Sequence, residues 1–133
     1  MELIIGGSGQ GKTACAFRHM KELGYEKPLL YEAEAFFDQP EEWRGRACIV
    51  RNVQELARKG KSEEELKRWA VLAVQETACV IFVCDEVGCG VVPVEPEERK
   101  WREETGHFCC YLAAEAGRVT RVFCGLEQVI KKE

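Results

Sequence analysis

The feature that most constrains the fold is a glycine-rich segment at residues 6–13. It consists of Gly6, Gly7, Ser8, Gly9, Gln10, Gly11, Lys12 and Thr13, and it matches the pattern Gly-x-x-x-x-Gly-Lys-Ser/Thr at every constrained position. An aliphatic run precedes it, and an amphipathic helical pattern begins at Lys12. Glycines let the backbone curl so that successive N–H groups point inward, and the start of a helix adds its positive dipole end. The segment therefore predicts a polyphosphate site between a first strand and a first helix.

Two side chains of this segment carry the expected chemistry. The Lys12 ammonium is expected to reach the β and γ phosphates of a nucleotide, and the Thr13 hydroxyl to complete the shell of a Mg²⁺ ion. We therefore expect a nucleotide polyphosphate, together with Mg²⁺, at this loop.

The rest of the chain alternates predicted strands and helices. The predicted strands are Glu2–Ile5, Pro28–Tyr31, Arg46–Val50, Ala78–Cys84 and Val119–Cys124, with a short edge strand at Gln128–Ile130. The predicted helices run from Lys12 to a stop at Gly24, over Asn52–Lys59, from a capping box at Ser62 and Glu65 through Thr77, and over Glu97–Ala116 with a break or bend at Gly106. The apolar face of the first helix is expected to comprise Ala16, Phe17, Met20 and Leu23. This order predicts a three-layer α/β fold of the P-loop NTPase (RecA-like) type, with a mainly parallel sheet and a single domain over residues 1–133.

An acidic pair follows the most apolar of the predicted strands. Ala78–Cys84 is a continuous apolar run, typical of a parallel strand buried on both faces, and Asp85 and Glu86 come directly after it. Open α/β sheets bind ligands at the carboxyl ends of their strands. We therefore predict that Asp85 binds the metal and that Glu86 orients a substrate hydroxyl. The alternative is that both acids only cap the following turn.

Composition argues against several classes of partner. The chain has 23 acidic and 19 basic residues, a net charge of -4, and its basic residues alternate with acids along the predicted helices, so no basic patch for nucleic acid is expected. The apolar run at 78–84 is too short to span a bilayer and no signal sequence is evident, so a cytoplasmic protein without a membrane partner is expected.

The eight cysteines and two histidines show no metal-binding spacing in the sequence. They form no Cys-x-x-Cys pair and no Cys/His ligand pattern, so reduced and mostly buried thiols are expected, with disulfides or zinc as the less favoured alternative. His19 and His107 are expected to be surface or structural residues.

A second motif carries a family resemblance. The segment Glu86-Val87-Gly88-Cys89-Gly90-Val91-Val92-Pro93 resembles the Glu-Val-Gly-x-Gly-Ile/Val-Val-Pro signature of the adenosylcobinamide kinase/adenosylcobinamide-phosphate guanylyltransferase family of cobalamin biosynthesis. The glycine-rich loop, the stretch Pro40-Glu41-Glu42-Trp43-Arg44 and the closing Val122–Leu126 follow the family's order. The resemblance covers nearly the whole chain.

The resemblance implies a P-loop kinase. Its substrates would be ATP or GTP and a corrinoid, adenosylcobinamide, whose aminopropanol hydroxyl receives the γ-phosphate, with Glu86 or Glu32 orienting that hydroxyl near the bound nucleotide. The resemblance also implies a homo-oligomer. Many members then transfer GMP through a guanylylated histidine, but the matching residues 32–39 contain none, so the guanylyltransferase activity is not carried over.

The ends of two strands depart from the family's pattern at the expected metal site. Arg51 and Asn52 follow the third strand, where the family usually has an acid, and Asp85 stands where the family has asparagine. Either the metal-binding acid has moved between strands or catalysis has been lost. A noncatalytic nucleotide-binding module, and a P-loop kinase or NTPase acting on another small molecule, are therefore the alternatives. The sequence does not distinguish ATP from GTP.

Overall fold

The computed structural model describes residues 1–87 and 94–133. Its strands are β1 (Glu2–Gly6), β2 (Leu29–Glu32), β3 (Ala47–Arg51), β4 (Cys79–Asp85), β5 (Arg118–Phe123) and β6 (Leu126–Lys132). Its α-helices are α1 (Lys12–Glu22), α2 (Pro40–Trp43), α3 (Glu55–Arg58), α4 (Glu63–Glu76) and α5 (Pro96–Glu115), with a 3-10 helix at Ala33–Asp38. Most of the Glu86–Pro93 segment, from Gly88 onward, lies outside the described residues.

The strands form one mainly parallel sheet in the order β2-β3-β4-β1-β5-β6. β1 pairs in parallel with β4 and β5, β3 pairs in parallel with β2 and β4, and only β6 runs antiparallel to its neighbour among the strands described. This arrangement confirms the predicted α/β fold and is consistent with a P-loop NTPase.

Helices cover both faces of the sheet, which gives the predicted three layers. Adjacent residues of β1 show the alternation, since Leu3 belongs to one core and Ile4 to the other. α1 covers the face of Ile4, whereas α4 and α5 cover the face of Leu3. The two cores together bury both faces of the aliphatic strands, and this burial fixes the position of the strands' carboxyl ends.

The apolar face of α1 is rotated from the predicted one. Phe17 and Leu23 are 39% and 51% exposed, whereas Cys15 and His19 are fully buried beside Ala16 and Met20. The prediction placed Phe17 and Leu23 inside because of their apolar character. The helix instead turns a thiol and an imidazole toward β1 and β6.

Three other elements differ from the prediction in extent. The helix predicted over Asn52–Lys59 is reduced to α3 (Glu55–Arg58), because the positive φ of Asn52 is not helical. α5 continues without a break through Gly106, because Thr105 and Phe108 are buried on either side and their packing outweighs a helix penalty of about 1 kcal/mol. β6 is longer than Gln128–Ile130, because it forms a hairpin with β5 through a turn at Cys124 and Gly125. The predicted capping box at Ser62 and Glu65 is confirmed.

Within residues 1–87 and 94–133, every helix is too short or too polar to cross a lipid bilayer.

Candidate active site

The glycine-rich loop leaves the carboxyl end of β1 and leads directly into α1. Gly9 and Gly11 have φ angles of 74° and 97°, in the left-handed region that glycine adopts without strain. A Cβ atom on Gly6 would lie 2.5 Å from the Val122 carbonyl oxygen of the adjacent β5. These positions explain why the loop needs glycine where the motif has it.

Lys12 is held inside the curve of this loop. Its Nζ atom donates a hydrogen bond to the Gly7 carbonyl at 2.6 Å and lies 2.7 Å from Asp85 Oδ1. The Lys12 side chain is 8% exposed. A positive charge is thus fixed beside the loop amides, where a bound polyphosphate needs one.

Asp85 owes its position to the sheet and to one buried side chain. Gly6 of β1 lies in register with Asp85 of β4, so the acid stands beside the start of the loop. Gln54 donates from Nε2 to Asp85 Oδ2 at 3.3 Å and accepts the Asp85 backbone N–H at 3.0 Å. Trp101 Nε1 in turn donates to the Gln54 carbonyl at 2.7 Å. Gln54 is therefore clamped between α5 and the candidate catalytic acid.

Sequence reasoning missed Gln54. It is 4% exposed and lies between the buried Val53 and Leu56. The local sequence, Arg51-Asn52-Val53-Gln54-Glu55, does not single it out, because most of its neighbours are polar as well; its burial follows from tertiary contacts with Asp85 and Trp101.

The ends of β2 and β3 add a second polar group to the site. Glu32 and Arg51 are paired in register, and Arg51 Nε lies 2.6 Å from Glu32 Oε1. Asn52 donates to the other Glu32 oxygen at 2.6 Å, and its φ of 58° is one that asparagine tolerates. Gln54 Nε2 also lies 3.3 Å from Asn52 Oδ1, so hydrogen bonds connect Glu32 to Asp85.

A cavity of about 240 Å³ lies over the loop and the start of α1. Of the residues predicted from the sequence, those lining it are Ser8, Gly9, Gly11, Lys12, Thr13 and Asp85. Arg51 and Asn52 line it as well. Arg51 thus adds a second cation to the lining of this space, which we call the phosphate cavity after the site predicted from the sequence.

The remaining predicted residues border the cavity without lining it in the part of the chain described. Gln10 anchors the loop to the β5–β6 turn, since its Oε1 accepts the Cys124 N–H at 2.6 Å. Gly6 and Gly7 contribute carbonyl acceptors, to the Glu86 N–H at 2.9 Å and to Lys12.

The two candidate orienting acids stand on different sides of the loop. Glu86 lies toward β5, where its carboxylate pairs with Arg121 at 2.8 Å. Glu32 lines a second cavity of about 450 Å³ together with Glu34 and Glu55. Asn52 lines both this acidic cavity and the phosphate cavity, which makes the two spaces neighbours.

The donor set of the phosphate cavity fits Mg²⁺. Mg²⁺ prefers oxygen ligands and keeps several waters, and the Thr13 hydroxyl and Asp85 carboxylate both line the cavity. Both Asp85 oxygens already have partners, Lys12 and Gln54, which favours a contact through water.

Among the residues the structure describes, neither histidine lines the phosphate cavity. His107 is exposed on α5, and His19 is buried under α1. Hydrogen bonds with Cys15 and with Glu2, only partly offset by burial, raise the pKa of His19 to about 10. Burial opposes the charged form of Glu127, but hydrogen bonds with His19, Cys15 and Arg18 outweigh it and lower the pKa of that carboxyl to about 2.

Residues 46–130 match a family model described as cobinamide kinase / cobinamide phosphate guanyltransferase. The match includes Arg51, Gln54 and Asp85 but starts after the glycine-rich loop, so the loop is a separate observation that agrees with it. None of the curated proteins matches this sequence.

Proposed function

The chain belongs to the cobinamide kinase / cobinamide phosphate guanyltransferase family, and on that premise we propose that it is a kinase that transfers the γ-phosphate of ATP or GTP to a hydroxyl of adenosylcobinamide. Membership places it among the nucleotide-using transferases of cobalamin biosynthesis. The observation that carries the kinase proposal is the position of Lys12, fixed between the loop carbonyl of Gly7 and the Asp85 carboxylate.

The phosphate cavity supplies what phosphoryl transfer requires of a protein, namely positioning and charge neutralisation. Loop amides and the start of α1 would bind the phosphates, with Lys12 at the β and γ groups and Arg51 as a second cation. Mg²⁺ at Thr13 and, directly or through water, Asp85 would neutralise further phosphate charge. Gln54 keeps Asp85 oriented throughout.

The acceptor hydroxyl is proposed to enter from the acidic cavity. Its oxygen bonds to the γ-phosphorus as the bond to the β–γ bridging oxygen breaks, and its proton passes to an acid beside the cavity. Glu32 suits this role because Asn52, its hydrogen-bond partner, lines the phosphate cavity. Glu86, on the other side of the glycine-rich loop, is the alternative acceptor of this proton.

The second activity of the family is not part of this proposal. Guanylyl transfer through the protein needs a nucleophile facing the α-phosphate. Residues 32–39 contain no histidine, and His19 is buried with both ring nitrogens in contact with acids. These observations favour a kinase that does not form a guanylylated intermediate.

The test is product formation with purified protein, adenosylcobinamide and Mg·ATP or Mg·GTP. We expect adenosylcobinamide phosphate, and its loss in Lys12→Ala with circular dichroism unchanged. Lys21→Ala, an exposed lysine on the same helix, is the matched control. No product from either donor would overturn the kinase proposal. Nucleotide binding without turnover would then indicate a noncatalytic module, and turnover of another hydroxyl compound a kinase of different substrate.

A further inference from the structure

The structure places a thiol, an imidazole and a carboxylate together beneath α1, and none of the three residues lines the phosphate cavity. The three residues are Cys15 and His19 of α1 and Glu127 of β6. We propose that they form a binding site for a divalent transition metal of the zinc class, independent of the nucleotide-bound Mg²⁺.

The ligand atoms are already close to the spacing that such an ion requires. Cys15 Sγ, His19 Nε2 and a Glu127 carboxylate oxygen all lie within 4.8 Å of one another. The sulfur–nitrogen separation is 3.4 Å, and Nε2 contacts Glu127 Oε1. A tetrahedral zinc ion with ordinary Zn–S and Zn–N bonds holds sulfur and nitrogen about 3.6 Å apart. Metal binding therefore requires only a small adjustment of the Cys15 and His19 side chains relative to each other.

The atoms of these groups that would not touch the metal already have partners. His19 Nδ1 lies 2.8 Å from Glu2 Oε1, so a proton on Nδ1 leaves the Nε2 lone pair for the metal. Glu127 Oε2 accepts from Arg18 Nη2 at 3.1 Å and from Nε at 3.3 Å, which leaves Oε1 for the metal. Carboxylate partners on the second nitrogen of a ligating histidine, and hydrogen bonds to a ligating carboxylate, are the usual surroundings of protein metal ligands.

The exposure and the chemistry of the three side chains also favour a zinc-class dication at this position. Cys15 and His19 are fully buried, whereas the Glu127 side chain is 28% exposed and gives the ion a route from solvent and room for a water ligand. Thiolate sulfur and imidazole nitrogen select zinc-class ions over Mg²⁺. The ligands bind deprotonated, so the Cys15 and His19 Nε2 protons pass to solvent when the ion enters.

The ion would tie the edge strand to the helix that follows the phosphate loop. Glu127 is 108 residues from His19 in sequence, and β6 otherwise pairs only with β5 among the described strands. This separation also explains why sequence spacing shows no site. Cys15 and His19 are one helical turn apart, and their third ligand comes from the other end of the chain.

The test is a metal titration of the full chain after treatment with a chelator. We expect one Zn²⁺ per chain by calorimetry, a rise in Tm on binding, and a thiolate-to-cobalt charge-transfer band with Co²⁺ that excess Mg²⁺ and ATP leave unchanged. Cys15→Ser should remove the band, and Glu127→Gln should weaken binding by about tenfold or more. Cys110→Ser, an exposed cysteine of α5, is the matched control and should behave as wild type.

Two results would overturn the proposal: wild-type protein that takes up neither Zn²⁺ nor Co²⁺, or equal Co²⁺ binding by the wild type and Cys15→Ser. Should Cys15→Ser fail to fold, the proposal is tested with Glu127→Gln instead. This variant should fold, because Glu127 lies on an exposed part of β6 and glutamine preserves the shape of the side chain. Equal Zn²⁺ affinity in folded Glu127→Gln would likewise count against the site.

Discussion

Lys12 and Asp85, which both line the phosphate cavity, form an ion pair of 2.7 Å although they lie far apart in sequence. The pair exists because β1 and β4 are neighbours and Gly6 lies beside Asp85. The cation expected to bind phosphate is thus held by the acid expected to bind the metal. A mutation of Asp85 should therefore separate the effect of its charge on nucleotide binding from its effect on turnover.

Asp85→Asn should have opposite effects on binding and on turnover. Without Mg²⁺, the variant should bind ATP or GTP more tightly than wild type, because Lys12 loses its competing carboxylate and the phosphates lose a like charge. With Mg²⁺, turnover should fall by about 100-fold or more. Calorimetry in EDTA and a product assay in Mg²⁺ measure the two effects. Weaker nucleotide binding in EDTA would contradict this view of the pair.

Gln54→Ala should lower kcat while leaving the KM for nucleotide within about twofold, because Gln54 positions Asp85 without lining the phosphate cavity. We expect a loss of roughly tenfold in kcat and about 1 kcal/mol in the free energy of unfolding, since the substitution leaves the partly buried Asp85 N–H unpaired. Steady-state kinetics and urea unfolding measure these. Gln75→Ala, an exposed glutamine of α4, should change neither. A raised KM with unchanged kcat would argue against a positioning role.

Glu32→Gln should reduce kcat by about 100-fold without weakening nucleotide binding, because Glu32 lines the acidic cavity and its partner Arg51 keeps its charge at the phosphate cavity. Glu86→Gln should instead act mainly on stability, because Glu86 pairs with Arg121. Parallel assays of turnover and nucleotide affinity compare the two variants. If Glu86→Gln lost turnover and Glu32→Gln kept it, the orienting group would be Glu86.

The metal-free protein should lose stability on the alkaline side because of His19. The unfolded pKa is about 6.5 and the folded pKa about 10, so the stabilisation is complete below about pH 6.5 and is lost as pH rises through about 10. Urea unfolding in EDTA across this range should therefore show a falling free energy of unfolding. His19→Gln should be less stable at neutral pH and lack this slope. An equal slope in both proteins would assign the pH dependence to other groups.

The sequence predicted those parts of the site that depend on local pattern. The glycine-rich loop, its strand and its helix are contiguous, so periodicity and motif predict where Lys12 and Thr13 lie, at the start of α1. Asp85 was found because an acid at the end of an apolar strand has a known place in a parallel sheet.

The remaining features depend on contacts between distant segments. Gln54 reaches Asp85 only because β3 and β4 are neighbours, and His19 is buried because Glu2 and Glu127 approach it from β1 and β6. Gly106 is a further case in which local sequence is insufficient, since tertiary packing keeps α5 continuous where local helix propensity predicts a break. The prediction for α1 was right for Ala16 and Met20 and wrong for Phe17 and Leu23, because side-chain apolarity alone does not show which face of a helix contacts the sheet.

The pairing of Gly6 with Asp85 restricts how the length of this chain can change over generations. Side chains alternate along a strand, so adding or deleting a single residue within residues 79–85 would turn the Asp85 carboxylate to the opposite face of the sheet. The same holds for residues 2–6. Homologous proteins that keep this chemistry should therefore have their insertions and deletions outside these two strands. The lengths of the two strands should be conserved even where the identities of their residues are not.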